Sequence, residues 1–264
     1  MQVACYRRER STLELKEINQ YIRKLELMRD KIESFSNYPF CLSAIRNLKE
    51  LNFHPGVTFF VGENGTGKST LLEAIAVEYG FNPEGGTKNF NFSSMDTHSG
   101  LYEYIKLTKG VKRPKDGFFL RAESLYNVAT NIEELDREGR GPKIIDSYGG
   151  RSLHEQSHGE SFLAIFMNRF RGKGVYILDE PEAALSPSRQ MTMLTRMHEL
   201  VGMESQFIIA THSPILMAYP NAVIYELKED FKTVRYEETE HYQVMRTFLN
   251  NTDRMLDILI NEKS

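Results

Sequence analysis

Gly62-Glu63-Asn64-Gly65-Thr66-Gly67-Lys68-Ser69-Thr70 decides how the rest of this 264-residue chain is read. It follows Val57-Thr58-Phe59-Phe60-Val61, an apolar run rich in β-branched and aromatic residues, which predicts a buried strand. It precedes Leu71 to Tyr79. Apolar residues at 71, 72, 75, 76 and 79 and the stop at Gly80 predict a helix with a glycine C-cap. A glycine-rich turn between a strand and a helix is the setting of a phosphate loop. The glycines let the backbone curl close to phosphate oxygens. The N–H groups of the loop and the helix start form an anion nest. Asn64, Gly65, Thr66, Gly67, Lys68, Ser69 and Thr70 are therefore the candidate nucleotide contacts. Lys68 is placed to reach the β- and γ-phosphates, and the Ser69 hydroxyl to hold Mg2+.

The bulk numbers set bounds around that loop. A chain of 264 residues suits one domain, or one domain with a sub-lobe, and a sizeable core. With 41% hydrophobic and 26% charged residues it reads as a soluble globular chain. The net charge of −3 does not indicate a globally basic nucleic-acid binder, although a local basic face is compatible with it. Two cysteines, Cys5 and Cys41, imply neither a disulfide frame nor a zinc site and fit a reducing cytoplasm. No apolar run approaches the ~20 residues of a membrane span. The charged start MQVACYRRER lacks the apolar stretch of a signal peptide, so any membrane-spanning part is expected from another chain.

In chain order, residues 1–19 read as a polar extension without chemistry. The periodicity of 21–28 fits both a helix and a strand, and a strand is favoured. Residues 34–39 read as a turn, and 40–53 as one or two short strands. After the loop helix, residues 82–87 are a polar connection. Lys112-Arg113-Pro114-Lys115 reads as a solvated loop rather than a nucleic-acid contact. Residues 117–120 read as a strand, 125–136 as a helix and 139–152 as a loop.

Ser157 with Glu160 forms a capping box that opens a helix over 161–170. Val175-Tyr176-Ile177-Leu178 reads as a buried strand ending in Asp179-Glu180. Ser186-Pro187 caps a helix over 187–201 with Met191, Leu194, Met197 and Val201 on its core stripe. Gln206 to Ala210 is the next strand, ending in Thr211-His212, and 222–227 is one more. The last thirty or so residues read as a charged helical extension.

Buried strands alternating with helices imply an α/β fold with a mostly parallel sheet. Ligands bind such sheets outside the carboxyl ends of the strands. Three strands end there in polar groups: the phosphate loop, Asp179-Glu180 and Thr211-His212. Asp179 is placed to hold Mg2+ through water, and Glu180 to orient or deprotonate the attacking water.

GENGTGKST, QSHGE, VYILDEPEAALSP and IIATHSP, in this order, resemble the motifs of the ATP-binding-cassette (ABC) ATPases over roughly residues 21–227. The resemblance implies a P-loop NTPase core with a small antiparallel β part and a small helical lobe. Two subunits of that family sandwich two ATPs. By residue, Ser157 and Gly159 match the phosphate-contacting serine and glycine of the signature, Glu180 the catalytic glutamate and His212 the switch histidine. Pro181 to Pro187 matches the segment crossing the dimer interface. Departures are His158 at the second signature position, Ser186 in place of an aspartate, and no glutamine between Thr70 and Glu155. Arg121 or Glu123 stands nearest to the place of the metal-sensing glutamine.

The domain reading is 1–19 extension, 20–230 ATPase with a helical lobe at about 88–172, and 231–264 helical extension. The connection from Thr70 to Ser157 is too short for long SMC-type arms, and the stretch after His212 too short for an appended nuclease. The motifs look more like soluble RecF-like and OLD-like ATPases, in the manner of small stand-alone bacterial predicted ATPases. The expected function is ATP hydrolysis in a cytoplasmic homodimer serving nucleic-acid maintenance or defence, with nucleic acid or an effector protein as partner. Alternatives are the ATP-binding subunit of a membrane transporter, and a nucleotide-dependent clamp with little turnover.

His154-Glu155-Gln156-Ser157-His158 also satisfies H-E-x-x-H, the zinc-protease pattern, with Glu180 or Glu182 near the distance of a third ligand. The cap at Ser157 argues against it, because zinc binding needs both histidines on one helix.

Overall fold

Two β-sheets flank the phosphate-loop helix in the computed structural model, which describes residues 20–88, 99–139 and 141–261. Strands β1 (Ile22–Leu27), β2 (Glu50–Asn52) and β4 (Ile105–Lys109) form an antiparallel sheet in the order β2-β1-β4. Strands β3 (Val57–Val61), β5 (Asp116–Arg121), β6 (Gly174–Asp179), β7 (Gln206–Ala210), β8 (Val223–Leu227) and β9 (Phe231–Val234) form the larger one, ordered β5-β6-β7-β3-β8-β9. All its pairings are parallel except β8 with β9. Every residue of β3, β6 and β7 is buried, as expected for parallel strands covered on both faces.

The helices are α1 (Ser43–Asn47), α2 (Lys68–Tyr79), α3 (Leu125–Glu138), α4 (His158–Ala164), α5 (Pro187–Gly202), α6 (Pro214–Met217), α7 (Glu240–Asn250) and α8 (Thr252–Asn261). Helix α2 fills the space between the sheets. Its Leu71, Leu72 and Ile75 pack with Ile22 and Leu25 of β1 and Ile177 and Ile208 of the main sheet. Full burial of each such side chain contributes roughly 1.5–3 kcal/mol. The opposite face of the main sheet, with Phe118, Tyr176 and Phe207, packs on Phe162, Phe166 and Met197 of the helical side. Gln206 joins the two sheets: its Oε1 accepts Ile22 N–H at 2.8 Å and its amide donates to Ile22 O at 2.8 Å.

The expected strands, the loop helix with Gly80 as left-handed C-cap, the Ser157 capping box and the Ser186-Pro187 start are all present. Four expectations need correction. Part of 40–53 is helix α1, because burying Ala44 and Ile45 together takes one helical turn rather than strand alternation. The buried stripe of α5 is Gln190, Met193, Met197 and Leu200, leaving Met191 exposed. The lobe drawn at 88–172 carries α-helix only from Leu125 on, since β4 and β5 inside it belong to the two sheets. The C-terminal extension opens with a strand, β9, before its two helices. Residues 1–19 of the sequence reading lie outside the described residues.

Candidate functional site

The order β6-β7-β3 puts three adjacent carboxyl ends side by side, and each carries polar groups. After β3, Gly62, Gly65 and Gly67 have φ of +148°, +82° and +99°, the left-handed region that glycine enters without strain. A Cβ built on Gly65 would meet nothing within 4 Å, so the loop is open there. The first intrahelical bond of α2 is Leu71 N–H to Gly67 O, which leaves the N–H groups before Leu71 without helical partners. Lys68 is buried, and its Nζ donates to Gly62 O (2.8 Å) and Glu63 O (2.9 Å). An ammonium has three protons, so one remains for a ligand. Burial lowers its pKa, against the pull of Glu180, Asp179 and Glu182. Thr66 Oγ1 donates back to Glu63 O at 2.8 Å, Asn64 lies on the rim, and Thr70 Oγ1 is 3.2 Å from the hydroxyl of the exposed Tyr38.

Ser69 Oγ donates to Asp179 Oδ1 at 3.0 Å, across from the end of β6. Burial pushes the Asp179 carboxyl up to about 6, opposed by Arg121 and by the Ser69 bond. Arg121, at the end of β5, bridges Glu73 of α2 (2.8 Å) and Asp179 (3.5 Å), while Glu123 lies 3.7 Å away and exposed. Of the two candidates for the glutamine's place, Arg121 therefore reaches the acidic pair.

Glu180 has φ of +48°, a conformation that costs a non-glycine residue about 1–2 kcal/mol. It turns the chain off the strand, and the Glu180 Oε1 lies 3.3 Å from His212 Nε2. That Nε2 is buried and lacks an aligned hydrogen bond. Burial, then the charge of Lys68, lower the His212 pKa, so the imidazole is neutral at pH 7. Glu182 holds the loop after β7, accepting Thr211 Oγ1 (2.8 Å) and the His212 N–H. His212 Nδ1 lies 3.0 Å from Nε2 of His241 on α7.

The structure thus brings Lys68, Ser69, Asp179, Glu180 and His212 to one edge. The third proton of Lys68, the open loop at Gly65 and the unbonded Nε2 of His212 suit an anionic phosphate chain. The paired oxygens of Ser69 and Asp179 suit a hard divalent cation.

Ser157 is the exposed start of α4, with its N–H and hydroxyl on Glu160 at 3.0 and 2.8 Å. Gly159 is buried: a Cβ on it would lie 2.4 Å from Ala184 O and 2.8 Å from Arg189 Nη1. The side of Gly159 that would bear a Cβ therefore faces the chain's own turn Pro181–Ala184, while Ser157 and His158 are exposed.

The zinc pattern is broken up. His154 sits on a 3-10 turn, Leu153–Glu155, against Thr130, whereas His158 is on α4 and bonded to Ala122 O at 3.1 Å. Among the described residues no group of three His, Cys, Asp or Glu side chains can hold a metal. Sequence reasoning missed Tyr38, Glu182 as the clasp of the His212 loop, and His241. An unexplained histidine in the C-terminal extension was the only signal for the last.

A domain-family model described as "AAA domain" matches residues 31–158. Another, described as "AAA domain, putative AbiEii toxin, Type IV TA system", matches 145–218. The petrobactin import ATP-binding protein FpuD of Bacillus anthracis is 26% identical over 166 residues, 58% of this chain and 60% of its own length. The hemin import ATP-binding protein HmuV of Pseudomonas aeruginosa is 27% identical over 185 residues, 64% of this chain and 71% of its own. The chain thus spans only three fifths of FpuD. Among solved structures, cbiO1 from Clostridium perfringens aligns with 87% of this chain and 95% of its own at 19% identity and a TM-score of 0.49. Motif order, the gathering of three strand ends at one sheet edge and the ATP-binding relatives point the same way: the chain is similar to the ABC-type ATPases, which bind ATP on a P-loop fold.

Proposed function

We propose that the chain hydrolyses Mg-ATP at this edge, in a homodimer that sandwiches the nucleotide. The observation that carries the reading is the placement of Lys68, the Ser69–Asp179 pair and the Glu180–His212 pair on the adjacent ends of β3, β6 and β7. In this reading Asn64 to Thr70 cradle the phosphates, and Lys68 gives its third proton to the β- and γ-phosphate oxygens. Ser69 and Asp179 would hold Mg2+, which would offset charge on the phosphates. Glu180 takes the proton of the attacking water. The water oxygen bonds to the γ-phosphorus as the bridging P–O bond breaks, and ADP and phosphate leave. His212 donates from Nε2 to the γ-phosphate. Tyr38, whose hydroxyl lies 3.2 Å from Thr70 Oγ1, would offer its exposed ring to the base. Ser157 and the backbone at Gly159, with the positive end of α4, would contact the nucleotide of the second copy. The boundaries 20–230 and 231–264 are kept as the ATPase part and the C-terminal extension.

Glu180→Gln tests this directly. ATP binding should persist, turnover should fall by about 10²–10⁴-fold, and light scattering should show a dimer with ATP. A Gln variant that hydrolyses normally sinks the role of Glu180, and one that stays monomeric with ATP sinks the sandwich.

For the partner we favour nucleic acid, in a cytoplasmic maintenance or defence role. At the opposite end of the main sheet, where β5 begins, a cavity of about 750 Å³ is lined by Lys88, Lys109, Lys112, Arg113, Lys115 and Arg169. Arg169 is spent on Asp116, and Lys112 is only 3.7 Å from Glu204, but the ion pairs among the described residues include none to Lys88, Lys109, Arg113 or Lys115. Lys88, from a separate segment, and Lys109, at the end of β4, thus flank the basic loop, with Lys88 Nζ donating to Tyr79 O at 2.7 Å and Lys109 Nζ to Glu78 O at 3.4 Å. Stimulation of ATPase turnover by DNA or RNA supports this partner. The names of FpuD and HmuV favour a second reading, the ATP-binding subunit of an importer. Among the described residues no helix is long and apolar enough to cross a membrane. Wild-type turnover no higher than that of Glu180→Gln would favour the clamp instead.

A further inference from the structure

The strongest unexplained contact in the molecule is the His212–His241 pair, which joins the candidate hydrolytic site to the C-terminal extension. His212 Nδ1 and His241 Nε2 are 3.0 Å apart, with ring centroids 5.1 Å apart at 62°. One N–H must lie between them, and two arrangements are available. If His212 gives the proton from Nδ1, its Nε2 carries a bare lone pair 3.3 Å from Glu180 Oε1, and would turn that lone pair toward phosphate oxygens. Both contacts are repulsive. If His241 gives the proton from Nε2, His212 is protonated on Nε2, and the positive end of that N–H lies near the Glu180 carboxylate, 3.3 Å away though not aligned as a hydrogen bond. The second arrangement makes two attractive contacts in place of one.

We infer that His241 is a positioning residue for hydrolysis: it donates to His212 Nδ1 and so holds His212 in the tautomer that donates from Nε2. The inference rests on the proposed role of His212 at the γ-phosphate. It makes the C-terminal extension part of the active site, at a distance of 29 residues in sequence. The hold is light. Helix α7 has no buried residue, and Val244 and Met245, which share the rim with His241, are exposed. Besides the His–His bond, the start of α7 is tied by Glu240 to Lys228 at 3.7 Å, by its buried cap Thr239 and by Tyr242 against Tyr236, with ring centroids 4.6 Å apart.

Three variants separate donation from packing. His241→Phe keeps a ring without a donor, His241→Ala removes both, and His241→Gln keeps an N–H donor. ATPase kcat should fall roughly tenfold or more in the Phe and Ala variants, since tautomer control by a neighbouring group is worth at least that much at histidine sites. ATP affinity should stay within about twofold, because the phosphate loop is untouched, and Gln should recover most of the rate. Nitrogen-15 spectra of histidine-labelled protein, with His212 assigned by its loss in His212→Ala, should show His212 protonated at Nε2 in the wild type and a mixture in His241→Phe. Protonation of His212 at Nδ1 in the wild type, or full turnover in His241→Phe while His212→Ala is impaired, overturns the inference alone. Unchanged turnover in His212→Ala overturns the parent reading of His212 and with it this one.

Discussion

Gly159→Ala is a small change with a large expected effect. Gly159 does not have the left-handed backbone, so alanine suits its conformation and only contact decides the outcome. The new methyl would sit 2.4 Å from Ala184 O and 2.8 Å from Arg189 Nη1. The arginine end can swing away, but the carbonyl belongs to the turn Pro181–Ala184 that follows Glu180. Reaching ordinary contact requires the start of α4 and this turn to separate by about 1 Å, and overpacking of that size costs about 1–3 kcal/mol. For a chain of this length that is a Tm lower by roughly 2–12 °C. The same displacement moves Ser157 against Glu180, so turnover should fall while ATP binding to the chain's own loop is retained. Differential scanning calorimetry, ATP titration and phosphate release measure the three quantities. Gly202→Ala, at the end of α5 with nothing within 4 Å of its Cβ, is the control and should be neutral or slightly stabilising. If Gly159→Ala melts and turns over like the wild type, the tight approach of α4 to the turn is not what positions the signature.

The other outcomes follow from single contacts. Lys68→Ala should lose nucleotide affinity by calorimetric titration while keeping its fold, because Gly62 O and Glu63 O remain reachable by water. Arg121→Gln leaves the half-buried Glu73 and the buried Asp179 without their shared cation; a loss of about 3 kcal/mol is expected by urea denaturation. Added Mg2+ should stabilise this variant more than the wild type, since it replaces the missing charge. Replacing Lys112, Arg113 and Lys115 together by alanine should abolish nucleic-acid stimulation and reduce the logarithmic salt slope of binding by about 2–3, with basal ATPase turnover unchanged.

Most of the fold was legible because its signals are local. Val57 to Val61, Val175 to Leu178 and Phe207 to Ala210 are apolar apart from the β-branched Thr58, a near-continuous pattern that strands covered on both faces tolerate. Ser157 with Glu160 and Ser186 with Pro187 are cap chemistries acting over three or four residues. Where the reading failed, the deciding neighbour was distant. The α5 stripe shifted from Met191 to Met193 because the sheet, not the helix, chose the buried side. Residues 231–234 became a strand because β8 offered an open edge. H-E-x-x-H fell apart because His154 and His158 are turned to different partners, Thr130 and Ala122.

The sequence by itself determined a phosphate loop between strand and helix, two strand ends carrying Asp179-Glu180 and His212, and a capped helix start at Ser157. These depend on spacings within one turn or one strand, where covalent geometry alone fixes which side chains share a face. Only the tertiary structure decided that Ser69 meets Asp179 across 110 residues, that Arg121 takes a place beside them, that Glu182 clasps the His212 loop, and that His241 returns to touch His212. Those contacts follow from the strand order β6-β7-β3 and from where α7 comes to rest. Both are set by burial summed over the whole core, a quantity that no single stretch of the chain contains.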